Sequence, residues 1–203
     1  MTNWVSDTSD YYGKLLKEHG PTPASVDTRA ESQQLRFGIL AAAICDAQTI
    51  LDVGCGYGAF LGFLIQNDQI EGAAGYTGID VSREMIEAAR AKSIWPSYQD
   101  RYKVRNLLEE PYDRQFEAVV ASGIFQLFHD GDYANDMIEA MWRATGRVLA
   151  FNMLSVHAKE KTPGEAYFEP GTVLARCQRL TPYCALDHTY KENDFTVVME
   201  RRP

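Results

Sequence analysis

Ile50-Leu51-Asp52-Val53-Gly54-Cys55-Gly56-Tyr57-Gly58-Ala59 is the stretch that decides the fold. Residues 50–53 have the apolar character of a short buried strand, and they run directly into three glycines at alternate positions. Phe60, Leu61 and Leu64 then continue at helical spacing. A strand that ends on a glycine-rich turn and re-enters as a helix opens a β-α-β unit. Glycines in such a turn permit positive φ and let a ligand approach the backbone. The spacing Gly54-x-Gly56-x-x-Ala59 also satisfies the dinucleotide pattern. The acid in front of it argues the other way. A pyrophosphate wants the bare positive end of a helix, and Asp52 would oppose it while favouring a cationic ligand. A tight strand–helix turn with no ligand is the plain alternative.

Working outward, a second strand fits Tyr76–Ile79, and Ser82 suits the N-cap of a helix carrying Met85, Ile86 and Ala89, ended by Trp95-Pro96. Upstream, residues 28–47 read as a helix facing inward through Leu35, Ile39, Leu40, Ala43 and Ile44. The first 28 residues read as a short helix at Tyr11–Glu18 and a turn at Gly20-Pro21-Thr22-Pro23. Downstream, strands fit Tyr102–Val104, Ala118–Ala121 and Arg147–Phe151, with a helix between Asp132 and Thr145. Pro170 suits a first helical position ahead of Val173, Leu174, Cys177 and Leu180. Two last strands, near Tyr183–Tyr190 and Phe195–Glu200, pair as a hairpin. This order predicts an α/β fold: a doubly wound, mostly parallel sheet of about seven strands with a C-terminal antiparallel hairpin. Residues 1–28 form a helical cap or lid and residues 29–203 one domain. Ligands of such sheets bind beyond the carboxyl ends of the strands. Those ends are Asp52–Gly58, Asp80–Val81, Asn106–Leu107, Ala121–Phe125 and Phe151–Asn152.

Composition narrows the partners. The 203 residues hold 20 Lys and Arg against 28 Asp and Glu, a formal charge of −8. Such a surface repels phosphate backbones and anionic lipids, so neither nucleic acid nor membrane is expected. The amino terminus has no basic and apolar signal pattern, and the apolar run Phe37–Cys45 falls well short of the ~20 residues of a membrane span. Cys45, Cys55, Cys177 and Cys184 form no CxxC pair and have no His at zinc-finger spacing. Free thiols, no metal and a cytoplasmic location are the expectation.

Residues 50–58 resemble the first motif of class I S-adenosylmethionine-dependent methyltransferases. The resemblance implies a Rossmann-like fold and S-adenosyl-L-methionine as cofactor, whose sulfonium and ammonium suit an acid at Asp52 beside Gly54 and Gly56. Asp80 lies at the end of the second strand in Gly78-Ile79-Asp80-Val81-Ser82. The resemblance gives its carboxylate the two ribose hydroxyls, with Val81 next to it and Met85 on the adenine side or simply in the core. The family usually has an acid where Asn106 stands. Asn106 can accept the adenine amino group through its amide oxygen, without charge, and Leu107 adds backbone and apolar contact. Ala121 and Ser122 would flank the cofactor and Phe125 the acceptor. That segment lacks the Asn/Asp-Pro-Pro-Tyr tetrad of amide and nucleobase N-methylation, and no divalent-metal cluster is evident. Val148–Ser155, Tyr167–Pro170, Asp187–Tyr190 and Asp194–Val197 are similar to a group of small bacterial class I methyltransferases with undefined acceptors. So are Tyr11-Tyr12…His19-Gly20 and Ser32-Gln33…Arg36-Phe37. The likeness covers nearly the whole chain, but only the cofactor motifs are specific.

Methyl transfer is an in-line displacement that relies on proximity and exclusion of water, and needs a base only when the acceptor must lose a proton. His188 and Tyr190 near a late strand end, and His157 after the fifth strand, are the candidates near the acceptor. Asn152 could orient an acceptor oxygen. Tyr12, with Tyr11, could close over the cofactor, and Arg36 could meet its methionine carboxylate. Surface or structural roles are the ordinary alternatives for each. The expectation is methylation of an oxygen, less so a nitrogen, of a small metabolite by a monomer or homodimer. A macromolecular acceptor, RNA or protein, and a non-catalytic cofactor-binding module are the alternatives.

Overall fold

The computed structural model describes residues 4–70, 75–92, 99–127 and 131–202. Helix α1 (Trp4–His19), a 3-10 turn (Pro23–Val26) and α2 (Ala30–Ala43) precede β1 (Ile50–Val53) and α3 (Ala59–Gln66). There follow β2 (Tyr76–Asp80), α4 (Arg83–Lys92), β3 (Tyr102–Val104) and β4 (Phe116–Ala121). The chain closes with α5 (Gly131–Arg143), β5 (Thr145–Leu154), α6 (Pro170–Gln178), β6 (Cys184–Asp187) and β7 (Asp194–Glu200).

The strands form one sheet in the order β3-β2-β1-β4-β5-β7-β6. β1 pairs in parallel with both β2 and β4, with Leu51 opposite Thr77 on one side and Val119 on the other. Only β7 runs against its neighbours, β5 and β6. β6 and β7 make the expected terminal hairpin, with Cys184 opposite Met199.

Alternating side chains send the sheet's apolar residues to two cores. Leu51, Val119, Leu149 and Phe151 pack with Met137 and Met141 of α5 and Cys177 of α6. Ile50, Ala118, Val120 and Ala150 pack with Phe37 and Leu40 of α2, Phe60 of α3 and Ile86 of α4. Burial on both faces is why the central strands read as continuous apolar runs rather than alternating ones.

Several local readings hold. Pro170 opens α6, and the Ser82 hydroxyl accepts the Met85 N–H at 3.3 Å at the start of α4. The Trp95-Pro96 helix stop lies outside the described residues. The inward face of α2 matches the expected one at Leu40 and Ile44 and departs from it at Leu35, which is 40% exposed, while Gln33, Arg36, Phe37 and Ala41 are also buried. Apolar periodicity pointed elsewhere because Gln33 and Arg36 face a polar-edged cavity instead of the core. α1 starts seven residues earlier than expected and packs on the 3-10 turn and α4. Among the described residues no helix is long and apolar enough to cross a membrane.

Candidate cofactor and acceptor site

The turn after β1 is built by left-handed glycines: φ is 71° at Gly54, 53° at Gly56 and 78° at Gly58. The N–H groups of Gly54 and Cys55 both donate to the Ile79 carbonyl, at 2.8 and 3.0 Å, which clamps the turn to the end of β2. A Cβ on Gly54 would overlap Cγ2 of Ile124, so this position needs glycine for both φ and space. Gly54→Ala is expected to lower unfolding stability by about 1–3 kcal/mol, the usual range for overpacking and a strained φ. Urea denaturation checks this, and Ile124→Ala should recover part of the loss in the double variant. An unchanged midpoint in Gly54→Ala would contradict the argument.

Two carboxylates stand at this turn. Asp52 is 3% exposed and accepts the Tyr76 hydroxyl at 2.5 Å. Burial pushes its carboxyl up to about 7; the Tyr76 hydrogen bond opposes the rise and the charge of Asp80 adds to it. Asp80 accepts the N–H of Gly56 on one oxygen at 2.9 Å and that of Ser82 on the other at 2.8 Å. Burial raises it as well, while these backbone donors hold it down. Each oxygen has a second lone pair, so the carboxylate stays oriented and can still accept two hydroxyls.

Both acids line one open cavity above the carboxyl ends of β1, β2 and β4. Gly54, Gly56, Val81, Met85, Asn106 and Leu107 line the same space, with Ser122, Tyr12 and Arg36. Of the cofactor candidates that the sequence scatters from Tyr12 to Ser122, all but Ala121 thus share one wall. Trp4, Thr8 and Tyr12 recur every four residues, and this stripe of α1 completes the wall. Tyr12 accepts the Gln126 amide at 2.9 Å, and burial raises its phenol. Arg36 is 9% exposed; its Nε has no partner among the described residues. Asn106 accepts the Leu108 N–H at 3.1 Å, so its amide oxygen has one lone pair left for a ligand.

Residues 50–149 match the model of a methyltransferase domain family. A protein of Mycobacterium tuberculosis named as a methyltransferase, Rv1506c, is 31% identical over an alignment of 168 residues that covers 77% of this chain and 95% of that one. The chain belongs to the methyltransferase family. Magnesium protoporphyrin IX methyltransferase (ChlM) from Synechocystis PCC 6803, solved with bound SAM, has a TM-score of 0.73 at 14% identity, covering 100% of this chain and 99% of that one. DhpI in complex with SAH has a TM-score of 0.67 at 17% identity over 96% and 95% of the two chains. The shared feature is the fold, the Rossmann-like class I arrangement.

In this methyltransferase several expected site residues lie elsewhere. Ala121 is fully buried in the core at the end of β4 and does not line the cavity. Phe125, expected at the acceptor, is 1% exposed and packs its ring 5.4 Å from Phe151 and 6.4 Å from Phe168. Aromatic packing draws it inward, and Ile124 takes the wall position instead. His188 and Tyr190 follow β6, the edge strand, four strand positions or roughly 19 Å from β1. His188 contacts the Glu192 carbonyl at 2.9 Å, and Tyr190 donates to Asp194 at 2.8 Å. His157 is exposed beside Glu169, at 3.8 Å, with its ring 5.9 Å from that of His188. Neither histidine lines the cavity. Asn152 is engaged at both ends of its amide, accepting the Gly123 N–H at 3.2 Å and donating to Asp194 at 3.1 Å. Among the described residues no group of three or more His, Cys, Asp or Glu could hold a metal ion. The sequence reading missed Trp4, Thr8, Gln33 and Met137 in the wall and Asp194 behind it. The four-residue recurrence in α1 was the one signal available for the first two.

Proposed function

We propose that this methyltransferase takes its methyl group from S-adenosylmethionine and delivers it to an oxygen of a small metabolite. The observation that carries the reading is the single cavity that joins the Gly54–Gly56 turn, Asp80 and Asn106–Leu107 under α1. Its donors and acceptors fit the cofactor piece by piece. The remaining lone pairs of Asp80 suit the ribose hydroxyls, Asp52 the ammonium, and the unpartnered Nε of Arg36 the methionine carboxylate. Met85 and Leu107 offer apolar surface to the adenine, whose amino group Asn106 can accept.

When bound, the cofactor supplies a methyl group activated by its sulfonium. The chain's own contribution is placement and dryness: Ser122, Gly123 and Ile124 border the acceptor, and Trp4, Thr8 and Tyr12 shield it from water. Residues 1–28 act as the cap that makes this shield. A walled cavity of this kind suits a small acceptor better than a macromolecular strand, and the net charge of −8 disfavours RNA. ChlM, of the same fold, is named for a small molecule, magnesium protoporphyrin IX.

The test is calorimetry with S-adenosylhomocysteine followed by transfer of labelled methyl from S-adenosylmethionine. Small hydroxy, phenolic and carboxylic compounds form one panel, with total RNA and cell protein as the other. Label in a small-molecule methyl ether or ester supports the reading. Failure to bind the cofactor product, or label only in macromolecules, overturns it.

A further inference from the structure

We propose that Asp194 is a positioning residue that sets Arg36 for the cofactor's carboxylate and ties it to the turn bordering the acceptor. The inference rests on the cofactor assignment above. Asp194 is the first residue of β7, paired opposite Leu154 of β5, and is 1% exposed. A carboxylate so buried persists only when several donors compensate it. Three do: Arg36 Nη1 at 3.2 Å, Asn152 Nδ2 at 3.1 Å and the Tyr190 hydroxyl at 2.8 Å. The Tyr190 oxygen also lies 2.9 Å from Thr196 Oγ1, which fixes that donor in turn.

The consequences reach the cavity by two routes. Arg36 is held at its other terminal nitrogen by Thr28 Oγ1, at 2.9 Å, so both Nη groups are engaged. The Nε is a nitrogen of this buried guanidinium with no partner among the described residues, on a residue that lines the cavity. That is the arrangement expected of a cation held in place for an anionic group outside the protein. The second route runs through Asn152, whose Oδ1 accepts the N–H of Gly123. Gly123 sits at φ 74° in the cavity wall between Ser122 and Ile124. One carboxylate therefore orders both the cation on α2 and the backbone turn after β4.

The test compares two ligands that differ in the part Arg36 would hold. S-adenosylhomocysteine carries the amino-acid carboxylate; 5′-methylthioadenosine has the same nucleoside without it. Calorimetry on Asp194→Asn is expected to show S-adenosylhomocysteine weakened by at least about tenfold, the scale of one charge-assisted hydrogen bond. Binding of 5′-methylthioadenosine should stay within about twofold, which also reports that the pocket is folded. A cycle with Arg36→Gln guards against a folding defect, since the double variant leaves no unpaired buried charge. In the Arg36→Gln background, Asp194→Asn should change S-adenosylhomocysteine affinity by less than about twofold. Equal loss of both ligands, no loss of either, or full additivity in the cycle overturns the positioning role. If the unaltered protein binds neither ligand, the cofactor reading itself fails, which is a separate outcome.

Discussion

Asp80→Ala is expected to weaken S-adenosylhomocysteine binding by about 100-fold or more while leaving a folded protein. Two hydrogen bonds from ribose hydroxyls to a carboxylate are each worth roughly 1.5–3 kcal/mol, and 100-fold corresponds to about 2.7 kcal/mol. The carboxylate is prepared for this task. The N–H groups of Gly56 and Ser82 already hold it, one per oxygen, so little rotational freedom is lost on binding. Removal also frees the Gly56 N–H, loosening the glycine turn that borders the methionine end. Asp80 is only partly buried, so water can take over these two donors, and the stability loss should stay near 1–2 kcal/mol. Asp80→Asn should fall between the two, because its amide keeps one acceptor and loses the charge. Calorimetry beside a thermal melt measures both quantities. A dissociation constant within threefold of the unaltered protein would remove Asp80 from the site.

The legibility of this molecule follows the range of its interactions. The β1 turn is local: glycines at alternate positions and an acid before them are enough to specify a strand, a left-handed turn and a helix. Asp80 and Asn106 were legible because they stand at or just past the end of a short strand, Asp80 closing β2 and Asn106 two residues after β3. The terminal hairpin was legible because only a few residues separate β6 from β7. Asp194 was not, because its partners Asn152 and Arg36 lie 42 and 158 residues away and leave no periodic trace. His157, His188 and Tyr190 show the opposite failure. Their chemistry was visible, but their placement was not: β7 inserts between β5 and β6 and carries His188 and Tyr190, which follow β6, to the sheet edge, while His157 follows β5 and is exposed beside Glu169. Phe125 and Ile124 are adjacent, and which of them faces the ligand is decided by the Phe151 and Phe168 rings waiting on the other side.

Cofactor affinity should depend on pH through Asp52, with a direction opposite to that of stability. Burial raises the Asp52 carboxyl to about 7, so below that pH the group is mostly neutral and cannot balance an ammonium. Binding the cationic end then requires release of that proton. The observed affinity for S-adenosylhomocysteine should rise about tenfold per pH unit up to about pH 7 and level off above it. Between pH 7 and pH 5 the expected loss is thus about 100-fold. Stability of the ligand-free protein runs the other way. The folded chain keeps a proton that the unfolded chain gives up near pH 3.9, so the contribution is full below about pH 4 and is lost as pH rises through about 7. Some three pH units of separation set an upper scale of about 4 kcal/mol. Asp80 is also raised by burial, and the variants separate the two acids. Asp52→Asn should flatten the pH profile of binding while keeping the Tyr76 hydroxyl bonded to its amide oxygen; Asp80→Asn should weaken binding but keep the slope. Titrations from pH 5 to 8, in two buffers of different ionisation enthalpy, should also find close to one proton released near pH 6. If Asp52→Asn retains the slope, the acid that meets the cofactor's positive end is not the one in the glycine turn.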